Sequence, residues 1–221
     1  MPLRTVVFAN NEIYHAFNRS IAKENIFSSK FNLRKALEIV EFYRFSQRLR
    51  LSRVKMLPED LRSEYFRELH QEQPLVEIYS FAFMPNHYHF LLKQLQEKGI
   101  NRFISNFQNS FAKVFNLRTD RDGGLFQHTF KAKRVETDEE FLHVSRYIHL
   151  NPVTSYLIEF KDLMDYSWTS FPIYVKGENN PFVNVEFILN LSQTKEAYKV
   201  FVADQVDYQR SLALIKDLVL E

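Results

Sequence analysis

Val76–Lys93, VEIYSFAFMPNHYHFLLK, decides the fold of this chain. Its first half is β-branched and aromatic, which suits a strand. Met84-Pro85-Asn86 interrupts it with turn chemistry, and His87–Lys93 resumes as a second strand, so the stretch reads as a β-hairpin. In the second strand His87 and His89 stand at i and i+2, so both imidazoles leave one face, about 6.6 Å apart along the chain, while Tyr88 and Phe90 turn the other way into a core. Such a pair is either two unrelated polar residues on a wet face or the start of a cation site. Its place at the rim, beside a turn and after an apolar strand, is where sites are built.

Working outward, Glu12–Arg19 alternates and reads as a strand, and the apolar spacing from Phe31 to about Arg53 predicts a helix. Met56–Pro74 reads as an inserted loop with one helical turn. Gly99–Leu117 repeats Phe and Ile at helical intervals, Asp122-Gly123-Gly124 ends that helix, and Leu125–Val135 has strand character. Thr137 with three acids behind it starts a helix expected to stop at Pro152. The order is β, α, hairpin, α, β, then a further helix. We expect an α+β ferredoxin-like sandwich with an antiparallel sheet, helices on one face, an appended third helix and a C-terminal tail. The division expected is a domain over residues 1–152, with its insertion at about 55–75, and a tail over 153–221 that holds an aromatic-anchored YSWTSF segment and a helix over Lys195–Leu220.

Composition narrows the function. The 221 residues include 22 Phe and 11 Tyr, enough apolar mass for a sizeable core, and no Cys, which removes disulfides, thiolate metal sites and thiol nucleophiles. No apolar run approaches a membrane span and the N-terminus lacks signal-peptide features, so a cytoplasmic protein is expected. Net charge is +2, but it is unevenly spread: Lys30–Lys55 holds eight Lys/Arg against two Glu, Asn101–Arg134 seven against two Asp, and Ser155–Glu221 six against ten acids. The two basic stretches are either solvated helix faces or a field for a phosphate backbone.

Two imidazoles under-coordinate a metal, so a third donor must come from elsewhere. The Asp138–Asn151 helix carries Tyr147 and Asn151 one turn apart on one face, with His143 a turn earlier and His149 pointing away. The Asn151 amide oxygen is an acceptable hard ligand beside two imidazoles. Tyr147 then becomes a candidate nucleophile toward a phosphate, whereas without the histidine pair it is an ordinary amphipathic aromatic.

At this point MPNHYHFLL, NSFAKVFNLR, GGLFQHTFKAKRVE, SRYIHLNPV and YSWTSF, in that order over about Glu12–Tyr174, resemble the REP-associated tyrosine transposases, single-tyrosine members of the HUH (His-hydrophobic-His) group. The resemblance implies a hairpin-binding single-strand DNA nickase and ligase of the prokaryotic nucleoid. Tyr147 would be the nucleophile that forms a 5′-phosphotyrosine, and His87, His89 and Asn151 would hold Mg2+ or Mn2+. The lack of a Gly-rich phosphate loop agrees with strand joining that needs no nucleotide hydrolysis. The partner implied is single-stranded DNA folded as a repetitive palindromic hairpin, with no membrane, bound by a monomer or homodimer. Arg19, Lys113, Arg118, Gln127, Lys131, Lys133 and Arg134 are the expected DNA contacts. Phe126 stands where the family commonly has Trp, and His128 where its residue is usually small. His15 reads as a structural strand residue and Trp168 as an anchor for the tail. Two rivals remain: a relaxase, disfavoured by the lack of a third His in the hairpin, and a non-catalytic or domesticated nucleic-acid binder.

Overall fold

A computed structural model describes residues 6–177 and 180–210. Strand β1 (Ile13–Arg19) leads to α1 (Lys30–Tyr43), α2 (Leu51–Val54) and α3 (Glu59–Leu69). The hairpin β2 (Val76–Met84) and β3 (His87–Gln94) follows, then α4 (Gly99–Thr119), β4 (Lys131–Val135) and α5 (Asp138–Thr154). The tail contributes α6 (Phe171–Lys176), α7 (Glu186–Ser192) and α8 (Lys195–Ala203). The strands form one antiparallel sheet in the order β2-β3-β1-β4, the ferredoxin-like arrangement expected.

The sheet sorts its side chains by face. Tyr88 and Phe90 of β3 are fully buried and meet Phe107 of α4 nearly edge-on, with ring centres 5.2 and 5.6 Å apart. Such edge-to-face pairs add to the stabilisation from burial itself. Tyr14 and Ala16 of β1 are buried likewise. Helix α4 packs against α1 beneath this face, and α5 lies against β2 and β3. Thr137 caps α5 by accepting from the Glu140 N–H at 3.1 Å, and Asp138, Glu139 and Glu140 place negative charge at its N-terminus.

Several boundaries differ from the sequence reading. The Phe31–Arg53 helix is two pieces, because the Gln47 amide turns back to the Phe42 carbonyl and ends α1; Leu51 and Val54 then bury a separate turn. The Met56–Pro74 insertion is not a loop but holds the three-turn α3. Pro58 opens it, Glu59 and Asp60 occupy its first turn, and Tyr65 and Phe66 pack on Phe42 at 6.3 and 6.1 Å. Of Leu125–Val135, Lys131–Val135 is strand; Phe126 makes a lone bridge to Ser20. Helix α5 passes through Pro152 and ends at Thr154, since a proline in the last turn removes one rung without room to break the helix. Helix α8 ends at Ala203, and the remainder expected up to Leu220 lies partly outside the described residues.

The tail closes the outer edge of the sheet. The Phe83 N–H donates to the Trp168 carbonyl at 2.7 Å, Ser170 N–H to the Phe81 carbonyl at 3.0 Å, and Asn184 N–H to the Ile78 carbonyl at 2.8 Å. An edge covered in this way offers no template for pairing with another chain. Behind it, His149 is buried between the Tyr198 hydroxyl at 2.8 Å and Ser170 Oγ at 2.7 Å. Burial lowers the His149 pKa from 6.5 to about 3. The unfolded chain therefore takes up this proton first on acidification, and stability should fall as pH drops from about 6.5 toward 3. In thermal melts, His149→Gln should show a shallower loss than the wild type across that window; parallel pH profiles would refute the assignment.

Candidate active site

The register of β1 against β3 builds the opposite face of the sheet. Phe17 lies across from His89 and Arg19 across from His87, so His15, Phe17, Arg19, His87 and His89 share one side. His87 and His89 approach with ring centres 5.1 Å apart at 80°. Tyr147 of α5 stands edge-on over His89 at 5.7 Å and over His15 at 5.8 Å. The histidine pair and the phenol singled out in the sequence thus meet in one place. Asn151, one turn further along, is buried and donates its amide to the Tyr147 carbonyl at 3.0 Å. Among the described residues no group of three or more His, Cys, Asp or Glu is assembled for a metal.

Electrostatics keep the His87 and His15 imidazoles neutral. Burial, then the Arg19 charge, lowers His87 to about 4; burial, then Lys133, lowers His15 to about 4. Burial raises the Tyr147 phenol above its usual range, opposed by the Asn151 side chain and the Arg19 charge. His87 Nδ1 lies 2.6 Å from Asn86 Oδ1, while the Asn86 amide donates to the Lys23 carbonyl at 3.3 Å. That second bond identifies Oδ1 as the acceptor, so His87 carries its proton on Nδ1 and its lone pair on Nε2.

The expected DNA contacts separate into two groups. Arg19 sits within the site, and Gln127 is tied to it: the Gln127 N–H donates to the Arg19 carbonyl at 2.9 Å and its own carbonyl accepts from Asn18 at 3.0 Å. Lys131 and Lys133, across from Phe17 and His15, extend the same face, with Lys133 bridged to Glu140 at 2.7 Å. Arg134, across from Tyr14, belongs to the other face and pairs with Glu12 at 2.8 Å. Lys113 and Arg118 are on α4, across the sheet from Tyr147; Arg118 lies over the Phe31 ring at 4.4 Å and donates to Asn32 at 3.0 Å. His143 turns to Arg146 at 2.6 Å and to the Phe201 ring, away from the histidine pair.

Sequence reasoning read His15 as a structural strand residue and Asn86 as a turn residue, and placed neither in the site. His15 leads an i, i+2, i+4 series with Phe17 and Arg19, but its closeness to His89 depends on a strand register that no local pattern prints. Asn86 was in view as a turn residue immediately before the histidine pair.

The family model described as IS200-like transposase matches residues 49–151, the segment that runs from the end of the α1 region through the β2-β3 hairpin to Asn151 of α5. A solved structure described as a REP-associated tyrosine transposase bound to a REP hairpin is similar in fold, with a TM-score of 0.55 and 14% identity, over 84% of this chain and 93% of that one. No curated protein matches the chain.

The neutral His87 ring has a direct check. Long-range proton–nitrogen NMR should show it as the Nδ1-protonated tautomer down to about pH 4; a midpoint near 6.5 would mean the ring is neither buried nor held by Asn86.

Proposed function

We propose that the chain cuts and rejoins single-stranded DNA beside a hairpin through a covalent bond to Tyr147. The observation that carries this reading is the packing of the Tyr147 ring on His89, with His87 and Arg19 on the same sheet face. His87 and His89 would hold a divalent cation, Mg2+ or Mn2+, with Asn151 as the third donor. Two imidazoles and an amide oxygen are a donor set that would suit such an ion and leave room for phosphate oxygens, and His87 stays neutral, as a ligand must, to about pH 4. Such an ion supplies a Lewis acid for the phosphoryl oxygens.

The chain's own residues do the rest. Arg19 draws the anionic phosphate toward the phenol and lowers the cost of its ionisation. Tyr147 Oη forms the bond to phosphorus as the bond to the 3′ oxygen breaks; the phenol proton leaves and the 3′ oxygen ends protonated. Attack by a 3′-hydroxyl reverses the step and joins strands. Lys131 and Lys133 form a basic track on the same face, with Gln127 at its end by Arg19. Arg134 is a phosphate contact only at the sheet edge, and Lys113 and Arg118 belong to a stem-binding surface across the sheet. Residues 1–152 make up the nicking domain, and the tail over 153–221 braces it through its described residues. One chain supplies both Tyr147 and the histidines, which favours a monomer.

With a palindromic hairpin oligonucleotide and Mn2+, the wild type should leave a covalent protein–DNA adduct, and Tyr147→Phe should bind without cutting. Chelator should abolish cleavage and spare much of the binding. Cleavage by Tyr147→Phe would remove Tyr147 from the chemistry, and a wild type that binds but never cuts would favour the non-catalytic reading. Replacing Lys131 and Lys133 with Ala should reduce the salt dependence of binding by about two phosphate contacts; an unchanged salt slope would put the track elsewhere.

A further inference from the structure

His15 Nε2 lies 2.9 Å from His89 Nδ1, a distance that requires one proton between the two nitrogens. The rings are inclined by 24° with centres 5.1 Å apart. That separation exceeds the N···N distance by roughly two ring radii, so the imidazoles meet edge to edge, nitrogen facing nitrogen, rather than stacking. Lone pairs that shared a cation would instead converge on a third point. Among the described residues no group of three or more His, Cys, Asp or Glu is placed to hold a metal ion, these three histidines included. The geometry suits a hydrogen bond, not a third ligand.

Which ring donates has consequences for His89. If His15 donates, His89 carries its remaining proton on Nε2 and that nitrogen has no lone pair for a cation. If His15 accepts, His89 is protonated on Nδ1 and its Nε2 lone pair is a donor. Its neighbour is already set the second way, since Asn86 Oδ1 takes the His87 Nδ1 proton.

We infer that His15 is a positioning residue: it accepts the Nδ1 proton of His89 and so fixes that ring's orientation and its Nε2 donor, as Asn86 does for His87. This rests on the reading that His87 and His89 hold a divalent cation. Partners of this kind, one step behind the ligands, orient imidazoles and raise their basicity, and their loss costs about 10- to 100-fold in metal affinity. His15 also contacts the Tyr147 ring edge-on. One side chain therefore aligns the ligand and bounds the seat of the phenol.

The test uses the full chain without DNA, with Mn2+ binding followed by electron paramagnetic resonance. His15→Phe keeps the ring and removes the acceptor; His15→Gln returns an amide oxygen at a similar reach. His15→Phe should bind Mn2+ about 10- to 100-fold more weakly, His15→Gln should recover most of the loss, and hairpin affinity in chelator should be equal in all three. Wild-type Mn2+ affinity in a folded His15→Phe overturns the inference, as does a His15→Gln no better than His15→Phe. Should His15→Phe fail to fold, nitrogen NMR of the wild type decides: His89 protonated at Nδ1 upholds the inference and at Nε2 overturns it. A wild type that binds no Mn2+ overturns the cation reading and this inference together, whereas binding that survives His15→Phe overturns the inference alone.

Discussion

The antiparallel pairing of β1 with β3 is the constraint on which the rest depends. A slip of one residue would send every side chain of β1 to the other face. His15, Phe17 and Arg19 would enter the phenylalanine core while Tyr14 and Ala16 surfaced. The core forbids this, because Tyr88 and Phe90 are already locked against Phe107 from the same sheet. The hydrophobic face thus enforces the chemistry of the polar face. Its stabilisation comes from apolar burial, and the alignment of imidazoles with the phenol follows from it.

That alignment carries an electrostatic cost with a use. Burying His15 and His87 penalises their charged forms, and Lys133 and Arg19 respectively add to the penalty. The result is a pair of rings that stay neutral in acid where an exposed histidine would be charged, which is the protonation state a ligand or a hydrogen-bond acceptor needs. The same burial works against Tyr147, whose phenolate is disfavoured by the apolar surroundings. Arg19 acts on both in the same sense, disfavouring the imidazolium and favouring the phenolate. A single cation at the end of β1 therefore tunes two groups on two other elements.

The sheet and its principal helices were legible because their signals are local and strong: the alternation of β1, the Pro-Asn turn, and Phe at helical spacing in α4. That His87 shares a face with His89 and Tyr147 with Asn151 was legible as well, because i, i+2 in a strand and i, i+4 in a helix each fix a face; that the two faces meet, as Tyr147 and His89 do, was implied only by the resemblance. What sequence pattern could not deliver was long-range register. His15 and His89 are 74 residues apart, and Arg134 falls on the wrong face for a contact with the site only once its partner on β1 is known to be Tyr14. Helix α3 was missed for a different reason. Its polar surface hides the periodicity, and its stability derives from Tyr65 and Phe66 docking on Phe42, a tertiary contact.

Helix α5 must not rotate if Tyr147 is to keep its place, and the tail supplies the hold. Ser145 and His149 lie on the side of α5 away from Tyr147, about 200° around the helix from it in either direction. Ser145 Oγ meets the Tyr198 hydroxyl at 2.8 Å, that hydroxyl meets His149, and His149 meets Ser170, whose N–H is bonded to β2. These groups are buried, so turning the helix would strand several polar atoms without water to replace their partners, at about 1–3 kcal/mol for each one. The phenol is fenced in front by two imidazoles and behind by this chain of hydrogen bonds. Described residues after 153 are accordingly part of what keeps the Tyr147 phenol in position, although none of those named here touches it.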